Sequence, residues 1–297
     1  MRLTRRNAAF TVLTIGAVGC SIATHRGEVG IYEAPAKNDG AAGAAADGSA
    51  AGASDGSAGA SASEPSPAPV LFLTMLLRDF KIYDPNDPTT NPAFFSMPSE
   101  RSVVMSQLGA DSKPIYKAPA NTIPTYGKAF FDQWYHDTPG TNYLVPYPLP
   151  LALTDDGQYE YDSQKSGTPD FYLNVHRRIF LPIDDGTPYA TPFGNQRRQH
   201  NFDFTGELHA TFALTDAGGS VQVRADDDIY VFVDGKLVID LGGTHGPVPG
   251  EVALGELGLA VPQDYPLDIF YAERQGATGD FMLRTDLELK PRIVPAP

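Results

Sequence analysis

Between Glu207 and Leu289 apolar residues recur at every second position, a period that only a strand satisfies. ELHATFAL puts Leu208, Ala210, Phe212 and Leu214 on one side, and SVQVRA does the same with Val221, Val223 and Ala225. DFMLRTDLEL continues the pattern through Phe281, Leu283, Thr285, Leu287 and Leu289. One-sided strands bury their apolar face only against a second layer. IYVFV and KLVID flank Asp234-Gly235, a two-residue hairpin signal, and VLFLTMLLRDF from Val70 reads as a core strand. With 29 Gly, 26 Pro, 14 Tyr and 16 Phe, the composition suits many short strands joined by turns. The expected fold is all-β, an antiparallel β-sandwich with short helical insertions. Those insertions are expected over Ser99 to Gly109 and in KAFFDQWYHD, where Phe130 and Trp134, and Phe131 and Tyr135, stand at the i, i+4 helix spacing.

The N-terminal part reads differently. Arg2, Arg5 and Arg6 precede an apolar stretch from Ala8 to Gly19, the layout of an export signal and shorter than the roughly 20 residues that span a bilayer. Thr4-Arg5-Arg6 also hints at a twin-arginine route. Ala17-Val18-Gly19-Cys20 resembles the lipobox of bacterial lipoproteins, which makes Cys20 the expected lipidation site and the cell envelope, at the outer membrane or cell surface, the expected location. Cys20 is the only cysteine, so no disulfide within the chain is available. Residues 39–63 contain only Ala, Gly, Ser and Asp, and a Pro-rich stretch follows. Such a composition buries no core and reads as a disordered tether. The expected organisation is a signal over 1–19, a linker over 20–69 and one domain over 70–292.

A formal charge of −14, with no Lys/Arg run beyond the first residues, leaves nothing to neutralise phosphates, so no nucleic-acid partner is expected. Asp155-Asp156-Gly157 and Asp184-Asp185-Gly186 are explained by turn chemistry. Asp226-Asp227-Asp228 is not, because Ile229 follows directly and no glycine relaxes the backbone. A divalent cation would relieve the repulsion among three adjacent carboxylates. Solvent-facing acids at a strand mouth explain the triplet equally well, and spacing alone leaves both readings open. The pattern is not an EF-hand, since Tyr230 and Val231 stand where further ligand and glycine positions fall.

Four segments carry a resemblance: FDQWYHDTPGTN, FGNQRRQHNFDFTGELH, ADDDIYVFVDGKLVIDLGGTHG and DIFYAER. Together they resemble the bacterial fibro-slime domain family, itself related to the anthrax protective-antigen type of β-sandwich. In lectin members of that superfamily, such as yeast flocculins, an Asp-Asp pair joined by a cis peptide binds calcium, which coordinates sugar hydroxyls. The resemblance places that pair on Asp226 and Asp227 and adds Asp280, from a second loop between the last two strands, as a third metal ligand; Asp228 and Gln275 are set at the ligand rim, and His245 joins them where the hairpin folds back beside the acids, its alternative being a loop histidine bonded to backbone. It implies calcium-dependent binding of polysaccharide or glycan, and with the lipobox-like residues before Cys20 the expected protein is a lipid-anchored adhesion protein. The alternative is a structural extracellular-matrix component that binds neighbouring proteins without recognising sugar, and self-association stays open. No catalytic role is expected: Glu273 beside the acids would be the candidate for a glycosidase pair, and its ordinary role is to pair inside the sandwich. No HExxH, GxSxG or Walker loop occurs, and the 6 histidines lack zinc spacing.

Overall fold

The computed structural model describes residues 69–95, 101–117, 125–165, 179–195, 199–216, 218–274, 276 and 278–294. The expected signal, Cys20, the tether up to residue 68 and Gln275 lie outside them. The strands are β1 (Val70–Phe80), β2 (Val104–Leu108), β3 (Pro114–Tyr116), β4 (Asn142–Leu153), β5 (Tyr159–Asp162), β6 (Phe204–Leu214) and β7 (Ser220–Asp226). They continue with β8 (Asp228–Val233), β9 (Lys236–Leu241), β10 (Val248–Ala253), β11 (Gln263–Glu273), β12 (Asp280–Thr285) and β13 (Leu289–Pro291). One short helix, α1 (Lys128–Asp132), and 3-10 turns at Pro92–Phe95 and Leu254–Leu257 complete the elements.

Hydrogen bonds connect the strands in the order β10, β7, β12, β5, β4, β1, β6, β11, β8, β9, β2, β3, with β13 beside β6. Every pairing is antiparallel. Val223 and Leu283 on one half share a core with Leu208, Phe212, Ile269 and Tyr271 on the other. The sandwich is therefore a single curled sheet whose two halves face each other and stay joined through β4 and β5. The period-two residues of β6, β7 and β12 all enter this core. The last alternating segment breaks after Thr285, and Leu289 resumes in β13 opposite Phe212 of β6.

β8 is buried along its whole length. Ile229, Val231 and Val233 face the inner core, whereas Tyr230 and Phe232 join Phe270, Phe94, Phe131, Trp134 and Tyr135 in a second cluster on the outer side. A strand covered on both faces reads as a continuous apolar run, which explains IYVFV. Asp234 and Gly235 turn the hairpin with φ of 52° and 69°, the left-handed conformation such a turn demands.

Two helix expectations need correction. Residues 104–108 form β2, which pairs with β3 and meets β9 at Gln107 and Lys236. Free backbone groups at the sheet edge satisfy this segment better than a solitary short helix would. α1 stops at Asp132, so Phe131 rather than Phe130 contacts Trp134, at 4.9 Å between ring centres, while the expected pairing of Phe131 with Tyr135 forms at 6.0 Å.

Leu153 N donates to Pro69 O, so the odd-numbered residues of β4 bond towards β1 and the even-numbered ones point away. Beyond its two-residue pairing with β5, that far side meets no other described strand. Pro146, Pro148 and Pro150 occupy three successive even positions and remove their N–H donors from this side, which no further described strand pairs.

On the outer side of β6, the buried Glu207 meets Arg78 Nη1 at 3.1 Å and Lys113 Nζ, with His209 Nε2 at 3.6 Å. His209 Nδ1 lies 2.5 Å from Asp268, which also binds Arg292. Burial alone would raise the Glu207 pKa, but His209, Arg78 and Lys113 outweigh it and hold the carboxyl at about 2. Burial would lower that of His209, and Asp268 and Glu207 reverse this and raise it.

Three outcomes follow from this architecture. Trp134→Ala should destabilise the protein by about 3–5 kcal/mol in urea unfolding, as expected for an emptied aromatic core site. Pro146→Thr combined with Pro148→Thr should restore edge donors and produce concentration-dependent association in sedimentation velocity. The stabilisation from Glu207 is present above the ordinary glutamate value of 4.5 and is lost as pH falls towards 2, while that from His209 is present below 6.5 and is lost as pH rises through its raised folded value. Urea midpoints measured across pH should fall on both sides, and His209→Gln should flatten the alkaline side and, because His209 also helps to hold Glu207 low, weaken the acid-side dependence as well.

Candidate functional site

β7 lies in one half of the curled sheet and β8 in the other, so the chain crosses between them at Asp227. The acid triplet occupies this crossing. Asp226 pairs with Asp280 of β12, Asp228 pairs with Ala272 of β11, and the Asp226–Asp227 peptide is cis. Consecutive carboxyls consequently enter different surroundings, and they acquire different partners.

Asp228 faces inward. Its Oδ2 accepts from Arg274 Nε at 2.7 Å and lies 2.7 Å from Nη2, while Oδ1 accepts from Gly243 N at 2.6 Å and Tyr230 OH at 3.1 Å. Arg274 is 1% exposed; its guanidinium lies 4.9 Å from the Trp134 ring and donates to Ala93 O at 3.3 Å. Burial alone would weaken its hold on the proton, and Asp228 followed by Asp227 reverses this and raises its pKa. Asp228 is therefore a structural ion-pair partner, not the rim residue that the resemblance implied.

Among the described residues, Asp227 receives only main-chain donors at its carboxyl, His245 N on Oδ1 at 2.9 Å and Arg274 N on Oδ2 at 3.0 Å. Asp226 Oδ2 accepts from Thr278 Oγ1 at 2.6 Å. Burial pushes Asp227 up to about 8; Arg274 opposes the rise and the charges of Asp228 and Asp226 add to it. Asp226 is raised as well, first by burial, against hydrogen bonds from Thr278 and from Asp227. A hydrogen bond between two carboxyls needs a proton, because two carboxylates are acceptors only. A shared proton and a bound cation are two ways of relieving the same repulsion.

Asp280 is placed otherwise than expected. Its carboxylate accepts from Arg224 Nε at 2.5 Å and Nη2 at 3.1 Å, and from Ser163 Oγ at 2.8 Å. A carboxylate clamped by a guanidinium is already neutralised, and among the described residues no group of three or more His, Cys, Asp or Glu is arranged to hold a metal ion. The three-carboxylate ligand set does not assemble. The donor chemistry still fits a hard cation at Asp226 and Asp227, whose adjacent oxygens carry uncompensated negative charge once deprotonated.

His245 does stand beside the pair, half-buried, with its ring nitrogens 2.9 Å from the Gly246 and Leu241 carbonyls. Glu273 lies beneath the pair with no exposed surface. Its Oε2 lies 2.8 Å from Tyr271 OH, and Oε1 has no hydrogen-bond partner among the described residues. Burial, with the charges of Asp227 and Asp226, raises its pKa well above the ordinary glutamate range and keeps the acid neutral. Added Cβ atoms at Gly276 and Gly279 would fall 2.5 and 3.0 Å from its oxygens, so these two glycines pack closely against it. Tyr230, Phe232, Tyr271 and Phe281 are buried core residues.

Arg274 and Thr278 are the site residues that sequence reasoning passed over. Arg274 had a signal, an arginine at the end of a strand too apolar to leave it in solvent. Thr278 had none.

No family model matches the chain. It is similar to several proteins of Dictyostelium discoideum: protein psiC (33% identical over 224 residues, 70% of this chain and 40% of the relative), protein psiD (32% over 194 residues, 62% and 36%) and protein psiQ (30% over 226 residues, 72% and 21%). The chain thus spans between 21% and 40% of the length of these relatives. Among solved structures, partial overlaps occur with the PA14 sugar-binding domain from an RTX adhesin (26% identity, 31% of this chain and 48% of that one, TM-score 0.22). The PA14 domain of the MpAFP antifreeze protein gives a similar overlap (15% identity, 28% and 42%, TM-score 0.22).

Proposed function

We propose that this chain is an adhesion protein of the fibro-slime type, in which Asp226 and Asp227 hold a calcium ion through which carbohydrate is bound. The observation that carries the reading is the pair of adjacent, buried carboxyls at the β7–β8 crossing, which no guanidinium among the described residues pairs with through its side chain: Arg274 binds Asp228 and Arg224 binds Asp280. Calcium would supply the missing positive charge and open coordination positions for sugar hydroxyls. The protein's part is to hold the acids. Main-chain donors at His245 and Arg274 fix Asp227, and Thr278 fixes Asp226. Display at the cell envelope through a lipid on Cys20, with the 20–69 segment as tether, completes the proposal. Release of the protein into the medium by Cys20→Ser tests that part, and unchanged membrane fractionation would sink it.

The cation is tested by melting the full chain after EDTA treatment, with and without added calcium. Calcium bound only by the folded state at 100 times its dissociation constant adds about 2.7 kcal/mol. A saturable rise is expected in the parent and none in Asp227→Asn. Because the folded Asp227 binds its proton up to about pH 8 and an unfolded aspartate releases it near 3.8, stability without calcium should fall as pH rises between those values. Asp227→Asn should therefore be the more stable protein at alkaline pH without calcium. Calcium affinity should move the opposite way and strengthen as pH rises towards 8, because the proton competes with the metal. No calcium shift in either protein would overturn the reading and favour a matrix component that binds neighbouring proteins.

A further inference from the structure

Tyr271 OH lies 2.7 Å from the main-chain oxygen of Asp226 and 2.8 Å from Glu273 Oε2. A phenol carries one hydrogen and a peptide oxygen only accepts, so both contacts form together only when Tyr271 donates to Asp226 O and Glu273 donates its own proton to the phenol oxygen. Glu273 Oε1 fits that assignment. It is buried with no hydrogen-bond partner among the described residues, a state that costs far less for the carbonyl oxygen of a neutral acid than for a carboxylate. Phe202 and Gly276 confine the group, since a Cβ at Gly276 would fall 2.3 Å from Phe202 Cδ1 and 2.5 Å from Oε1. Tyr271 and Glu273 have no exposed surface, so bulk water does not replace a lost donor. The residues that follow Glu273 in the chain hold the same acid pair from the other side: Arg274 N donates to Asp227 Oδ2 at 3.0 Å, and Thr278 Oγ1 donates to Asp226 Oδ2 at 2.6 Å. Glu273 thus underlies the attachments of Asp226 and Asp227 without touching the place where a ligand would sit.

We propose that Glu273 is a positioning residue for the cation: as a hydrogen-bond donor it acts through Tyr271 on the Asp226 main chain and holds Asp226 and Asp227 in the arrangement that takes calcium. This rests on the calcium reading above. The test is calorimetric titration of calcium chloride into the full chain, with the melting temperature of each calcium-free variant recorded beside it. Tyr271→Phe and Glu273→Leu should each weaken calcium binding about five- to tenfold, and the double variant should weaken it no further than the larger single loss, because the two side chains act as one chain of hydrogen bonds. Glu273→Gln, whose amide still donates to the phenol, should bind calcium within about twofold of the parent. Where Glu273→Leu does not fold, Tyr271→Phe set against Glu273→Gln decides, since each keeps the shape of the buried side chain. Lowered melting temperatures with unchanged calcium affinity in Tyr271→Phe and Glu273→Leu assign the two residues to packing alone and overturn the proposal, while the cation site stands. A loss in Glu273→Gln as large as in Glu273→Leu shows that the site needs a negative charge there and not a donor, which overturns it too. A parent chain that takes up no calcium overturns the cation reading and this proposal together.

Discussion

The buried pair of Arg274 and Asp228 is the contact on which the functional end of the fold depends. One guanidinium with no access to water binds the carboxylate at the start of β8, covers Trp134 and reaches the Pro92–Phe95 turn. The main-chain N–H of the same residue holds Asp227. It thereby connects the outer aromatic cluster to the acid crossing between the sheet halves. A buried charge of this kind persists only when its partners are complete, and removal of either member would leave the other stranded in an apolar interior.

Around this pair the acids are sorted by how their charge is met. Asp228 and Asp280 are each answered by an arginine. Glu273, packed against two glycines, is kept neutral by burial. Asp226 and Asp227 receive hydrogen bonds but, among the described residues, no side-chain cation. Farther along β6 the logic differs: Glu207, His209 and Asp268 are matched by Arg78, Lys113 and Arg292, and the network fastens β1, β11 and the residue after β13 to one another.

Much of the architecture was legible in the chain because strands declare themselves locally. The alternation in β6, β7 and β12, the Asp234-Gly235 turn and the run in β1 each follow from a period or a backbone conformation that neighbouring residues impose. The segment at 104–108 misled because its partners, β3 and β9, are distant in sequence and its own residues allow a helix. The helix after Gly127 was found but overextended, since i, i+4 aromatics mark a helix without fixing its end.

The sequence by itself determined an all-β sandwich and singled out the triplet Asp226-Asp227-Asp228, because side-chain period and the crowding of like charges are properties of adjacent residues. Only the tertiary structure decided which acid does what. Asp280 stands beside Asp226 yet belongs to Arg224, Asp228 turns inward to Arg274, and Asp226 and Asp227 remain together. Those assignments depend on guanidinium groups brought in from strands as far as 56 residues away, and on a burial that no local pattern encodes, so the charge of each carboxyl was settled by the fold rather than by its neighbours in the chain.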